Sequence, residues 1–105
     1  MKNIPQYAET FAALGNENRL QIVNWLRDPK AHFPKQADGD LVLDGVCSGA
    51  IVRKLAISQP SVTAHMKILI GADLVVAKKV KQWTFYKLNR EKLKLIEKQL
   101  SELSG

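Results

Sequence analysis

Two short apolar-striped runs separated by three residues constrain this chain more than any other feature. Ile51, Val52 and Leu55 suggest a brief helix, and Val62, Met66 and Leu69 recur four and three apart on one face of the next. Ser58 is placed to cap that second run. Pro60 falls in its first turn, where a missing N–H removes no hydrogen bond. Only Ala56-Ile57-Ser58 joins the two helices. With Val62, Met66 and Leu69 facing inward, the opposite side of the second helix shows Gln59, Ser61, Thr63, Ala64 and Lys67. These side chains are small, or carry amide, hydroxyl or ammonium groups.

The flanking segments complete a pattern. Ile4, Tyr7, Phe11 and Leu14 follow the spacing of one helical stripe. Gly15 interrupts it, and Asn16 can cap a second helix over residues 16–28 that carries Leu20, Val23, Trp25 and Leu26. From Pro29 to Gly45 the prolines, glycines and aspartates predict a loop, with Leu41-Val42-Leu43 as its one candidate short strand. Gly71 and Asp73 close the helix that begins near Ser58. Leu74–Val80 and Trp83–Leu88 then read as two strands of a hairpin turning at Lys81 and Gln82. Asn89 can cap a last helix on which Leu93, Ile96, Leu100 and Leu103 repeat. Four helices, a hairpin and a fifth helix make a mainly α fold with a small β wing, the order of a winged helix-turn-helix.

Charge agrees with that layout. The 105 residues carry a formal net charge of +6, of which Arg53–Lys94 holds ten Lys or Arg against Asp73 and Glu91, leaving the remainder at −2. A basic stretch spanning the helix-turn-helix and the hairpin is suited to a polyanion, of which nucleic acid is the commonest. Length and composition predict one domain over residues 1–105. No apolar stretch approaches the roughly twenty residues of a membrane span, and no secretory leader opens the chain, so a cytoplasmic protein is expected. Cys47 is the single cysteine, which excludes an internal disulfide and an all-cysteine metal site.

The run Leu14-Gly15-Asn16-Glu17-Asn18-Arg19-Leu20-Gln21-Ile22-Val23 resembles the "alg-x-x-x-R-l-x-I-l" opening of the ArsR/SmtB (arsenic-repressor-like) regulators. Residues 55–69, Leu-Ala-Ile-Ser-Gln-Pro-Ser-Val-Thr-Ala-His-Met-Lys-Ile-Leu, are similar to that family's "L-x-(I/L)-S-Q-(S/P)-(T/S)-V-S-x-H-L-K-x-L" recognition unit. Phe85-Tyr86-Lys87-Leu88 resembles its closing "YY-x-L" strand. The resemblance covers most of residues 10–90. It implies a homodimer packed through its first and last helices that binds an inverted repeat in double-stranded DNA, usually as a repressor. The chain departs from the family's metal sensors. Where those carry "E-L-C-V-C-D-L", Gly45–Ile51 keeps only Cys47, and residues 89–105 contain no His. No metal site and no cofactor are therefore expected. Lys81 and Asp73 stand where Gly is common in the family, and Ala64 where Arg is frequent.

The candidate DNA contacts are Gln59, Ser61, Thr63, Ala64, His65 and Lys67 on the helix and Lys78, Lys79, Lys81 and Gln82 on the hairpin, with Lys87 adding charge. Ile4, Tyr7, Phe11, Leu14, Leu93, Ile96, Leu100 and Leu103 are the candidate dimerisation residues, because a wing fold this small has little core to cover both terminal helices. His65 either reaches a phosphate or packs inside the turn, and Cys47 is either a reactive thiol or a small buried residue. His32 with Asp38, Asp40 and Asp44 fits no calcium-loop spacing and reads as surface loop. The hairpin lysines could instead protect an exposed strand edge, and the basic face could dock an acidic protein. An enzyme is not expected, since no phosphate loop, nucleophile with a paired base, or metal cluster is present in the sequence.

Overall fold

Asn16 adopts an extended backbone and its side chain accepts the Arg19 N–H at 3.2 Å, separating α1 (Ile4–Leu14) from α2 (Glu17–Leu26). The computed structural model describes residues 1–105. After α2 come a one-turn helix, α3 (Pro29–His32), and a two-residue strand, β1 (Val46–Cys47). The helix-turn-helix follows as α4 (Ser48–Leu55) and α5 (Gln59–Gly71), then the hairpin of β2 (Val75–Val80) and β3 (Trp83–Leu88), and finally α6 (Arg90–Leu103). The fold class is the expected one, mainly helical with a small antiparallel wing.

The apolar faces of α4 and α5 close over one core. Ile51, Val62 and Leu69 are fully buried, Met66 nearly so, and they join Ile22 of α2 and Leu74 and Val75 at the base of the wing. The turn between α4 and α5 is made by Ala56 in the left-handed region (φ 57°), and the Ser58 side chain accepts the Ser61 N–H as the N-cap of α5. Asp73 (φ 62°) and Lys81 (φ 55°) are also left-handed, the two positions where glycine is common in the resembling family. Val80 pairs with Trp83, so Lys81 and Gln82 form a two-residue hairpin turn.

The segment between α2 and α4 differs from its expected form. Leu41-Val42-Leu43 is a turn rather than a strand, because the Asp40 carboxylate accepts the N–H groups of Val42 and Leu43 at 2.8 and 2.9 Å. The strand forms a few residues later, where Val46 and Cys47 pair with Tyr86 and Phe85 to give a three-stranded sheet in the order β1-β3-β2. Gln36 ties this insertion down: its amide donates to the Gly45 carbonyl and accepts the Cys47 N–H. Helix α4 starts at Ser48, three residues ahead of its first strongly apolar position.

The terminal stripes are divided. Tyr7 and Ile96, 8% and 4% exposed, belong to the chain's own core. Phe11, Leu14 and Leu93 pack partly against that core. Ile4, Leu100 and Leu103 remain 62%, 48% and 66% exposed. The cause is that α1 and α6 meet each other: the Lys92 ammonium lies 5.1 Å from the centre of the Tyr7 ring, and its stem is buried over it.

Gly45 has φ 110°, and a Cβ there would stand 2.5 Å from the Tyr86 carbonyl oxygen. Gly45→Ala is therefore expected to destabilise the fold by about 1–3 kcal/mol through backbone strain and displaced β1–β3 pairing. Urea unfolding measures this, and an unchanged midpoint would contradict the close approach.

Candidate nucleic-acid interface

With Val62, Met66 and Leu69 sealed, α5 turns Gln59, Pro60, Ser61, Ala64, Lys67 and Ile68 to solvent, while Thr63 and His65 are half-buried on its two flanks. Gln59 is held in place, since its amide nitrogen donates to Ser48 Oγ at 2.8 Å and to Thr63 Oγ1 at 3.2 Å. Its carbonyl oxygen has no partner within the chain, which leaves an acceptor facing out of a positioned side chain. Ser61 shares its hydroxyl with the Ser58 cap at 2.8 Å, so it is also preoriented.

Strand alternation divides the wing lysines between two faces. Lys78 lies opposite Phe85 on the face covered by the insertion, where Gly39 sits against the Phe85 ring and Asp44 takes the Lys78 ammonium at 2.6 Å. Lys87, on that face too, donates to the Leu43 carbonyl at 3.1 Å. Lys79 lies opposite Thr84 on the other face, which at its inner end carries the buried Val75 and Tyr86. Lys79 and the turn residue Lys81 are exposed and take part in neither of the chain's two ion pairs. The carboxyls of Asp40 and Asp44 are held below the usual carboxylate range by backbone N–H donors, from Leu43 and Val42 at Asp40 and from Asp40 at Asp44, where Lys78 assists.

The structure gathers Gln59, Gln82, Thr84 and Ser48 around one open groove of about 500 Å³ between the start of α5, the tip of the wing and residues 34–38 of the insertion. Arg53 and Trp83 line the same groove and escaped the sequence reading. Arg53 precedes the turn by one helical residue pair and could have been found from its place in the basic run. Trp83 reads as a strand residue, and only the folded hairpin brings it beside α4.

A helix-turn-helix carrying a positioned amide next to a lysine-tipped hairpin defines a winged-helix protein of the nucleic-acid-binding kind. The uncharacterized HTH-type transcriptional regulator YbzH of Bacillus subtilis (strain 168) is 39% identical over 83 residues, 79% of this chain and 83% of that protein. The uncharacterized HTH-type transcriptional regulator MJ1325 of Methanocaldococcus jannaschii is 30% identical over 103 residues, 98% of this chain and 100% of that protein. The chain belongs to the HTH-type transcriptional regulators. Among solved structures, HlyU from Vibrio cholerae N16961 superposes with a TM-score of 0.66 at 27% identity, covering 97% of this chain and 95% of that one. The ArsR family transcriptional regulator RHA00566 gives a TM-score of 0.75 at 14% identity over 98% and 91% of the two chains, so the fold is that of the ArsR-type regulators. No family model matches the chain.

His65 has a partner within the chain. Its Nδ1 lies 3.2 Å from the Arg19 guanidinium, which also donates to the Ala13 carbonyl at 2.7 Å and thereby joins α1 to α5. Arginine has no acceptor, so Nδ1 accepts and the ring is neutral with its proton on Nε2. Burial first, and the Arg19 charge second, hold its pKa below the usual 6.5. Protons then bind the unfolded chain more readily than the folded one, so this contribution to stability is complete above pH 6.5 and is lost as pH falls through the lower folded value. His65→Gln is expected to flatten the fall in urea midpoint between about pH 7.5 and pH 5. An equal fall in both proteins would show that the folded ring does not bind protons less readily than the unfolded one.

Proposed function

We propose that residues 1–105 form one DNA-binding domain that acts in the cytoplasm as a homodimeric repressor on an inverted-repeat operator. One observation carries this reading: the apolar side of α5 is buried while its polar side stands free beside the exposed lysines of the wing. Gln59, Ser61 and Thr63 meet base edges or adjoining phosphates in the major groove, and Ala64 permits close approach. Lys67, Lys79 and Lys81 hold the backbone with Gln82, and Lys78 joins them once released from Asp44. His65 acts from behind, through Arg19. The exposed Ile4, Leu100 and Leu103 supply the uncovered part of the dimer contact, with Phe11, Leu14 and Leu93 at its edge and Tyr7 and Ile96 supporting it from the core. Two-fold pairing would set the two α5 helices about one helical turn of DNA apart, roughly 34 Å.

An operator selected from genomic fragments tests the assignment by gel shift. Lys79→Ala and Lys81→Ala are each expected to weaken binding to every duplex and to reduce the slope of log K against log salt by about 0.9. Gln59→Ala is expected to cut the preference for operator over random duplex, by about 1–3 kcal/mol, with the salt slope unchanged. A Gln59→Ala protein with full sequence preference would remove α5 from the groove. Leu100→Asp with Leu103→Asp should convert a dimer to monomer in sedimentation experiments and abolish operator binding at the same protein concentration, because half the contacts are lost. A doubly substituted protein that still sediments as a dimer places the interface elsewhere.

A further inference from the structure

A second cleft lies away from α5. It has a volume of about 640 Å³ and opens between the end of α2, the turn of the insertion, the base of the hairpin and the start of α6. Its inner wall is apolar, from Leu26, Val46 and Leu88, and is extended by the exposed Val42 and Val76. Its rim is cationic. Arg27, Lys30, Lys87 and Arg90 outnumber Asp28 and Glu91 there, and none of the four takes part in an ion pair.

The head groups at that rim are held but not neutralised. Arg90 donates one guanidinium N–H to the Arg27 carbonyl at 2.6 Å, and Lys87 donates to the Leu43 carbonyl at 3.1 Å. Both bonds end on neutral oxygens and leave further donors unused. Lys30 is partly answered by the field of Asp40. The remaining cations, fixed above a wall of aliphatic side chains, make a site in which one end of a ligand loses apolar surface to the wall and the other takes charge-assisted hydrogen bonds.

We propose that this cleft is a binding site for a small amphipathic anion, a carboxylate or sulfonate on an aliphatic or aromatic body. The site adjoins the parts of the insertion that hold the wing. Val42 precedes Leu43 and Asp44, whose carbonyl and carboxylate engage Lys87 and Lys78. A ligand wedged between Val42 and Val76 changes the seat of the insertion on the hairpin and so the number of wing lysines free for phosphate. This second consequence rests on the DNA-binding reading above, whereas the site itself does not.

The test measures ligand binding with no DNA present. Titration with 8-anilinonaphthalene-1-sulfonate should give a saturable fluorescence rise with one site per chain. Octanoate should displace the probe at least about tenfold more effectively than 1-octanol, its neutral counterpart, since a charge-assisted hydrogen bond is lost with the carboxylate. Val76→Asp and Lys87→Glu, both at exposed strand positions and both checked for unchanged thermal melting, should each weaken probe binding about tenfold. Equal displacement by octanol, or wild-type probe affinity in the Lys87→Glu protein, overturns the assignment. A gel shift with and without octanoate then reads the coupling. Probe binding without any shift in DNA affinity refutes the coupling alone, and an absent gel shift under all conditions counts against the DNA-binding reading and not against the site.

Discussion

The structure depends on the burial of three side chains, Val62, Met66 and Leu69, along one face of a thirteen-residue helix. Each is worth roughly 1.5–3 kcal/mol relative to exposure, so turning α5 about its axis would forfeit several kcal/mol. A helix that cannot roll has a defined outer side. The left-handed Ala56 and the Ser58 cap fix where that helix begins, and Ser48 of α4 then holds the Gln59 amide in one direction. The outward placing of the polar side chains of α5 thus follows from packing on its far side.

Arg19 extends the same constraint to the first helix. Its guanidinium reaches the Ala12 and Ala13 carbonyls at the end of α1 and the His65 ring on α5, closing the open C-terminal end of one helix against the flank of another. Lysine could not do this with one ammonium, because the three acceptors lie on two elements and suit a planar fork of donors. The arginine of the "R-l-x-I-l" pattern is therefore explained by carbonyls and an imidazole, not by phosphate.

The parts of the molecule that were legible in the sequence are those set by neighbours a few residues away. Helical spacing located α5 and its buried face, Asn16 and Ser58 located the starts of α2 and α5, and two β-rich runs around Lys81-Gln82 located the wing. What escaped is decided across long sequence separations. Strand β1 exists because Val46 and Cys47 meet Tyr86 and Phe85, and Gln36 reaches nine and eleven residues along the chain to hold that strand in place. Leu41-Val42-Leu43 has the composition of a strand, yet the Asp40 side chain offers those N–H groups a closer acceptor. The terminal stripes were legible only in part. Spacing shows that Tyr7 shares a face with Ile4, but not that Lys92 and the core cover Tyr7 while leaving Ile4 in solvent.

The division of the wing into two faces gives the net charge a direction. The insertion places Asp38 and Asp44 against the hairpin, and Asp40 and Asp44 stay ionised because backbone N–H groups stabilise their carboxylates. On the face that holds Phe85 the carboxylates stand against Lys78 and Lys87, while Lys79 and Lys81 remain uncompensated on the other face and at the tip. Lys79 and Lys81 thus keep a free charge that Lys78, matched by Asp44, lacks. Over distances within about 8–10 Å at physiological salt that difference is not screened away. The formal +6 overstates the attraction on one side and understates it on the other. The charge left free for a polyanion is thus set in part by acidic residues that lie outside the helix-turn-helix altogether.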